Sequence, residues 1–475
     1  MRQAKNIFLS TFILILVSCS RPGDITNPPP PPPPPPPNPT PTTPIGWWKL
    51  NSASAGTFPS PKIYFGNDGF HYQQFGTFGN RVGTWAARTN DSINFIITAG
   101  FGAPLNSTLK VQLSNNSLLE LREGSTYVSY TKLDSAAIDS KAISSVAGTG
   151  TSGFSGDGGP ATAAQIQAGT FCIDASNNIY LLAGNRIRKI TAATGIITTI
   201  AGTGVAGNTG NGGLAINANM EGWSLTIDPS GNLYIGDNTN KCIRKINAVD
   251  GIINQIAGTG SSGYSGDGGP AINAQIASAE SLRIDAAGNL YFIDALNKRV
   301  RKIAATTGII TTVAGNGVYG VGGDGGPALS AQIYETAMAI DQLGNIYLGG
   351  QNFYRIRKIT ASSGIINTVA GTGVRGYSGE ALPALSNQLS DIGSIYVDAA
   401  GNIFFTEMSD PRVRKLASDG KIYTVAGTGY TGDAGDGPHA TAYDLGIGGI
   451  STILLDSQGN IIFSANLRIR KVNGN

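Results

Sequence analysis

Histidine is nearly absent from this chain of 475 residues, and cysteine is scarce: His71 and His439 are the two of the first, Cys19, Cys172 and Cys242 the three of the second. The histidines lie far apart in segments of different character, which excludes a multi-histidine zinc site within one chain. Cys172 and Cys242 fall in strand patterns of adjacent repeats, where they are either two buried thiols or, given suitable Cβ geometry, a disulfide. Charge is also low: 13% of residues are charged and the net charge is +3. That balance points to no particular partner. No G-x-S-x-G elbow occurs. GTGVAG from Gly202 mimics a glycine-rich phosphate loop, but no helix pattern follows it, so the physics of phosphate binding is missing.

Glycine is plentiful, with 66 residues, and it is periodic. An AGTG-like tetrad begins at Ala147, Ala201, Ala257, Ala314, Ala370 and Ala426, a spacing of about 56 residues. Each copy contains four short apolar runs rich in β-branched and aromatic residues, bounded by Gly, Asn or Asp; in the third they are SLRID, NLYFID, RVRKI and GIITTVAG. No copy contains a helical pattern of ten residues or more. Four strands in each of six repeats predict an all-β, six-bladed β-propeller rather than a solenoid. Between the first two strands stands D-x-x-G-N, from Asp228, Asp285, Asp341, Asp398 and Asp456, with Asn177 at the glycine position in the first copy. That position calls for positive φ, which Gly and Asn tolerate. The last copy stops after its third strand, while AISSV (Ala142–Val146) precedes the first copy as a supernumerary fourth strand. The N-terminal strand is therefore expected to complete the last blade, with Ile143 and Val146 buried, and to remove an exposed edge.

The chain divides by composition. Residues 1–19 carry basic Arg2 and Lys5 and a short apolar run, Ile7–Val17, too short to span a membrane well. The run ends in Leu16-Val17-Ser18-Cys19, which resembles a bacterial lipobox. The resemblance implies a signal peptide cleaved before Cys19 and lipidation of that residue. Acyl chains contribute about 0.8 kcal/mol per buried methylene, so two or three of them anchor a protein stably. The residue after it is Ser20 rather than Asp, which for a Gram-negative lipoprotein implies the outer membrane, on its periplasmic or cell-surface side. Residues 20–44 include ten consecutive prolines, Pro28–Pro37. They predict a polyproline II spacer of about 3.1 Å per residue. Residues 45–133 do not repeat. Their alternating runs, WWKLN, KIYFG, FHYQQF and others, predict about eight antiparallel strands in a small barrel or sandwich. Gly46-Trp47 and the later Gly83–Trp85 resemble lipocalin-like domains; Trp47, Trp48, Tyr64, Phe65, Tyr72, Phe75, Phe78 and Trp85 are read as core and inter-strand pairs rather than a ligand cup. Residues 134–140 link this region to the propeller at 141–475.

The G-N-x-Y…N-x-R-I-R-K-I pattern of the repeats resembles NHL repeats, and the inserted AGTG-x-x-GYSGDGGPA-x-x-AQ loop is similar to that of the teneurin NHL propeller and of bacterial NHL lipoproteins. The departures are GNGGLA at Gly210, GEALPA at Gly379 and GDGPHA at Gly435. NHL-like propeller lyases depend on histidines that this chain lacks. Some NHL propellers bind RNA, and an Arg-Lys pair recurs on every third strand: Arg188-Lys189, Arg244-Lys245, Arg301-Lys302, Arg357-Lys358, Arg414-Lys415 and Arg470-Lys471. A site breaks symmetry. Sixfold regularity therefore assigns these pairs to a structural role and argues against nucleic acid as a partner.

Functional candidates lie where the copies differ. The long connections and the second-to-third loops share one propeller face, and long loops on a rigid scaffold are where binding resides. At the end of the second strand the copies read Ala183, Asp237, Asp294, Gly350, Glu407 and Ala465; the start of the blades adds Glu221, Trp223, Glu280, Glu335 and Asp391. The loops add Asp157, Asp267, Asp324, Asp433 and Asp436, whose carboxylates are expected to cap their own turns. Asp237, Asp294, Glu407, Glu280 and Trp223 are the candidate ligand-binding set. Asp237, Asp294 and Glu407 are also candidate ligands for calcium, which suits oxygen donors better than zinc does. The leading expectation is a lipid-anchored, non-enzymatic binding or adhesion protein recognising a protein or carbohydrate on the loop-rich face. The alternative is a calcium-dependent, lactonase-like hydrolase, which needs several carboxylates or amides to meet at one point of the propeller mouth.

Overall fold

The structure is a computed structural model. It describes the backbone of nine strands between residues 46 and 132, and residues 141–474 apart from 168, 430–435, 437–439, 443 and 446–451. Cys19, the proline tract, Asp433 and His439 lie outside the described residues.

The chain separates into two units, Met1–Ile138 and Asp139–Asn475. In the first, strands β1 (Gly46–Ala53), β2 (Lys62–Phe65), β3 (Phe70–Gln73), β4 (Arg81–Thr84), β5 (Ala86–Arg88), β6 (Ser92–Ile97), β7 (Ser107–Ser114), β8 (Leu118–Glu123) and β9 (Thr126–Lys132) form one antiparallel sheet in the order β4-β3-β2-β1-β9-β8-β7-β6-β5. The first strand thus pairs with the last, with Trp48 opposite Lys132. The expected lining of a barrel or sandwich concerns side chains outside the described residues.

The second unit is an all-β, six-bladed propeller. Blades 1 to 5 occupy residues 170–201, 224–257, 280–314, 337–370 and 392–426, each a four-stranded antiparallel meander. Blade 6 takes three strands from 453–472 and its fourth from Ile143–Ala147, which pairs antiparallel with Arg468–Val472, Ile143 opposite Val472. Ile143 is buried, but the register slips between Ser145 and Ala147, so Ala147 takes the second buried place and Val146 is half-buried.

Six hydrophobic clusters occupy the six blade-to-blade interfaces, including blade 6 against blade 1. The middle strands are packed on both faces, which explains why Leu290–Asp294 and Ile461–Ala465 read as continuous apolar runs. First strands lie innermost and pack successively on one another from blade 1 to blade 6. Serine hydroxyls join them: Ser224 Oγ donates to Ala279 O at 2.6 Å, and Ser281 Oγ and Ser394 Oγ accept from Met338 N and Ile453 N.

The D-x-x-G-N turns tie together the tight-turn face. In blade 2, Asp228 accepts from Asn232 through its backbone N and its side-chain amide, and from the Tyr234 hydroxyl; Asn232 Oδ1 accepts from Ala248 N in the third-to-fourth turn. Gly231 has φ +85° and Asn177 in the equivalent place +63°. The long connections run along the outer edge of the blade they lead into. Gly158 N donates to Ile197 O and Ile197 N to Gly159 O. In blade 5 this becomes a short strand, Leu382–Pro383, paired to Lys421–Ala426. In blades 1 to 5 the connection covers the outer edge in this way.

Candidate functional site

Each arginine of the Arg-Lys pairs points inward at the base of a connection. Arg188 donates Nε and Nη2 to Asp157, Nη1 to Gln165 O and Nη2 to Ser155 O. Arg301 reaches Asp267, Gln275 O and Ser265 O, and Arg357 reaches Asp324, Gln332 O and Gly322 O. Arg470 pairs with Asp436. The lysines lie on the opposite sheet face, over the second-strand aromatic, as Lys302 does over Tyr291 at 5.4 Å. The pairs are thus structural.

The loop aspartates do not cap their own turns. Asp157, Asp267 and Asp324 each give one oxygen to the arginine and the other to a fourth-strand amide, Thr199 N, Thr312 N and Thr368 N. Burial pushes their carboxyls up, but hydrogen bonds from the threonines and the arginines outweigh it and hold all three below the usual Asp value.

A second layer lies above. Arg186, Arg299 and Arg412 open the third strands and donate to Thr203 O, Asn316 O and Thr428 O of the next connection. This places the second-to-third loops and the connections on one face. Gly204 has φ +88°, a conformation strained for any residue with a side chain, and the Arg186 guanidinium lies against the place a Cβ would take. Phe154, Tyr264 and Tyr377 cover these arginines, with ring centroids 3.7 to 4.0 Å from the guanidinium carbons. In blade 1 Ala183 stands where blades 2, 3 and 5 carry acids, and a cavity of about 300 Å³ remains between Phe154, Gln167, Leu181, Ala183, Asn185 and Arg186.

The acidic candidates are not gathered. Asp237, Asp294 and Glu407 are fully buried, each in its own blade. Asp237 accepts from the backbone and side-chain amides of Asn240. Asp294 accepts from Ala277 N, Ser278 N and Asn297 Nδ2, with Arg301 Nη1 at 3.9 Å. Glu407 accepts from Ser390 N at 2.6 Å and pairs with Arg414 at 3.1 Å. Burial pushes the carboxyls of Asp237 and Asp294 up despite these bonds. Their positions are equivalent by rotation about the propeller axis, so residues in different blades are held apart by the ring itself. Among the described residues no group of three His, Cys, Asp or Glu side chains is placed to hold a metal ion. Cys172 and Cys242 are buried free thiols.

Two candidates hold equivalent places in neighbouring blades. Trp223 and Glu280 stand at the same level of neighbouring first strands. Trp223 is 63% exposed. Glu280 accepts from Asn238 Nδ2 at 3.3 Å, and Asn238 Oδ1 in turn accepts from Ala279 N. Burial pushes the Glu280 carboxyl up, the Asn238 bond and Lys298 oppose this, and Asp294 adds to it.

An aromatic group on this face escapes a search restricted to acids. Tyr319 from the connection after blade 3, Tyr334 from its far end and Phe353 from the second-to-third loop of blade 4 pack with centroids 4.2, 5.5 and 5.7 Å apart. Lys298 lies 5.5 Å over Tyr334. Tyr319 is 53% exposed, and Val318 and Leu296 are exposed beside it in the chain or on the neighbouring blade. The signal was available: the places of Tyr319 hold Ser152, Ala206, Ser262, Arg375 and Thr431 in the other copies, and none is aromatic.

No protein-family profile matches the chain. Mouse (Mus musculus) teneurin-3 is 26% identical over 288 residues, which cover 53% of this chain and 10% of that protein. The chain thus spans about a tenth of the length of that curated relative. Among solved structures, a protein of unknown function from Bacteroides thetaiotaomicron superposes with a TM-score of 0.52 at 16% identity, covering 91% of this chain and 99% of that one. An auxiliary nutrient binding protein from Bacteroides ovatus superposes with a TM-score of 0.50 at 11% identity, covering 81% and 95%. Such identities speak for the fold alone.

Proposed function

We propose that the protein is a non-enzymatic binding module, exported and lipid-anchored at Cys19 in the outer membrane, that recognises a carbohydrate on the loop-rich face of its propeller. The observation that carries this reading is the Tyr319–Tyr334–Phe353 group with Lys298 at its edge. Rigid aromatic surfaces flanked by a few polar groups suit ligand recognition, since they lose little conformational entropy on binding. Trp223 adds a second exposed ring. The nutrient-binding description of the Bacteroides ovatus propeller agrees with this class of function. A lactonase-like centre would need carboxylates that meet, and Asp237, Asp294 and Glu407 are each engaged within one blade.

The test is a glycan panel followed by calorimetry, with the full chain and a Tyr319→Ala, Phe353→Ala variant. Binding weakened by about tenfold or more in the variant supports the reading. Equal affinity, or a parent that binds no glycan but captures a protein partner, overturns the carbohydrate assignment. Fractionation of a Cys19→Ala variant tests the anchor separately: the variant should move to the soluble fraction, and equal membrane association would remove the lipid from the proposal.

A further inference from the structure

Blade 1 departs from the charge pattern of its neighbours. In blades 3, 4 and 5 the two third-strand arginines are Arg299 and Arg301, Arg355 and Arg357, Arg412 and Arg414. Two carboxylates pair with arginines in each: Asp267 and Asp294, Asp324 and Glu335, Asp410 and Glu407. In blade 1, Arg186 and Arg188 have Asp157 alone among the described residues.

The missing carboxylate has a defined place. Nη1 of Arg301 lies 3.9 Å from Asp294, that of Arg357 3.4 Å from Glu335 and that of Arg414 3.1 Å from Glu407. Blade 4 fills the place from the connection, because Gly350 stands at its strand end. Blade 1 has neither source: Ala183 ends the second strand, and the sequence carries Ala168 where blade 4 carries Glu335. Arg188 Nη1 donates to Gln165 O at 3.0 Å, as Arg301 Nη1 does to Gln275 O. Its Nε and Nη2 are taken up by Asp157 and Ser155 O. A guanidinium has five N–H donors. The second N–H of Nη1 thus has no acceptor among the described residues, although Arg188 is 2% exposed. A buried donor without a partner is costly.

The space is present as well. In blade 3 four residues, 295–298, join the second and third strands, and Asn297 Nδ2 donates to Asp294 and to Gly263 O. In blade 1 only Gly184 and Asn185 join Ile179–Ala183 to Arg186–Ile190. The cavity of about 300 Å³ lies where the carboxylate and the longer turn are missing, bordered by Arg188 and by Gly153, the counterpart of Gly263. Phe154, Gln167 and Gly184 at its border are exposed, so solvent reaches it.

We propose that this cavity binds a small organic acid, whose carboxylate takes the place that Asp294 and Glu407 hold in their blades. Arg188 Nη1 offers the free N–H. Arg186, with its guanidinium carbon 4.0 Å over the Phe154 ring, supplies the unmatched charge. Charge-assisted bonds of this kind are the strong ones. Ile166 and Leu181 form an apolar wall suited to a short hydrocarbon tail. The site belongs to blade 1 and the Tyr319 group to blades 3 and 4, so each reading stands without the other.

The experiment titrates the full chain with sodium butyrate and, separately, with its neutral counterpart butyramide, at constant ionic strength made up with chloride. Calorimetry should show saturable binding of butyrate, with butyramide weaker by about tenfold or more. Ala183→Asp returns to blade 1 the acid that blades 2 and 3 carry and should abolish butyrate binding; its thermal midpoint reports whether the blade is intact. If that variant does not fold, Arg186→Gln gives a second reading, since this arginine is partly exposed and should weaken butyrate by about tenfold when replaced. No saturable binding of butyrate by the parent, equal binding of butyramide, or undiminished binding in Ala183→Asp or Arg186→Gln overturns the proposal.

Discussion

Arg301 and Asp267 are 34 positions apart in the chain, and in the folded repeat Nη2 of the arginine donates to a carboxylate oxygen at 2.6 Å. The arginine is fully buried while the aspartate is one-third exposed, so the two ends of the pair are unequal. Removing the buried end strands Gln275 O and Ser265 O as well as the carboxylate. Changing the outer end to Asn removes the charge and the acceptor for the Thr312 amide, both at a partly exposed edge. Blade 2 contains that natural variant: Arg244 donates to Asn211 Oδ1 at 3.1 Å and keeps its two carbonyl partners. Asp267→Asn should therefore cost about 1 kcal/mol or less, and Arg301→Leu roughly 3 kcal/mol. Thermal unfolding of the two variants checks this. Equal losses would show that the ion pair, rather than the carbonyl bonds, carries the stability.

The same loop aspartates predict an acid response. Asp157, Asp267 and Asp324 are held below the usual value of 3.8 in the fold. A depressed carboxyl contributes stability that is fully present above its unfolded pKa and is lost as pH falls through the folded one. The window for these three thus lies below about pH 4. Asp237, Asp294 and Glu335 are raised by burial and act in the opposite sense, gaining stability as pH falls toward their unfolded values and adding no slope below them. A variant with Asn at 157, 267 and 324 should differ most from the parent near neutral pH and converge with it at about pH 2. A gap in thermal midpoint that stays constant with pH would refute this.

Much of this was legible in the sequence, and the reason is repetition. The six tetrads and the turn motif mark six blades, because each copy must solve the same packing problem. The same regularity exposed the Arg-Lys pairs as structural. Asp237, Asp294 and Glu407 stand out in the sequence because they break the repeat, and in the fold each is buried and bonded within its own blade, through Asn240, Asn297 or Ser390 and Arg414. Sequence shows that blades differ, not whether a difference faces solvent. The Tyr319, Tyr334 and Phe353 group was hidden for another reason: its members come from three loop positions that only the third dimension brings together.

Ring closure makes a third prediction. Deleting Ala142–Val146 removes the partner of Arg468–Val472 and also the Asp436 contacts to Ser145 N and Oγ. Ile143 alone contributes roughly 1.5–3 kcal/mol by burial. With the lost ladder bonds, the thermal midpoint of the propeller should fall by roughly 10 °C or more. An unchanged midpoint would show that the last blade stands on three strands.

The arginine anchors bear on how such a chain grows and shrinks over generations. Arg188 and all its acceptors lie within residues 155–188, and Arg301 with Asp267, Ser265 and Gln275 repeats the pattern inside one period. A gene duplication or deletion of one whole period would therefore copy or remove a complete set of buried charges and leave none stranded. What resists such an event is the shape of the wedge between neighbouring blades, so drift in repeat number is constrained by apolar packing while the polar interior travels with each copy.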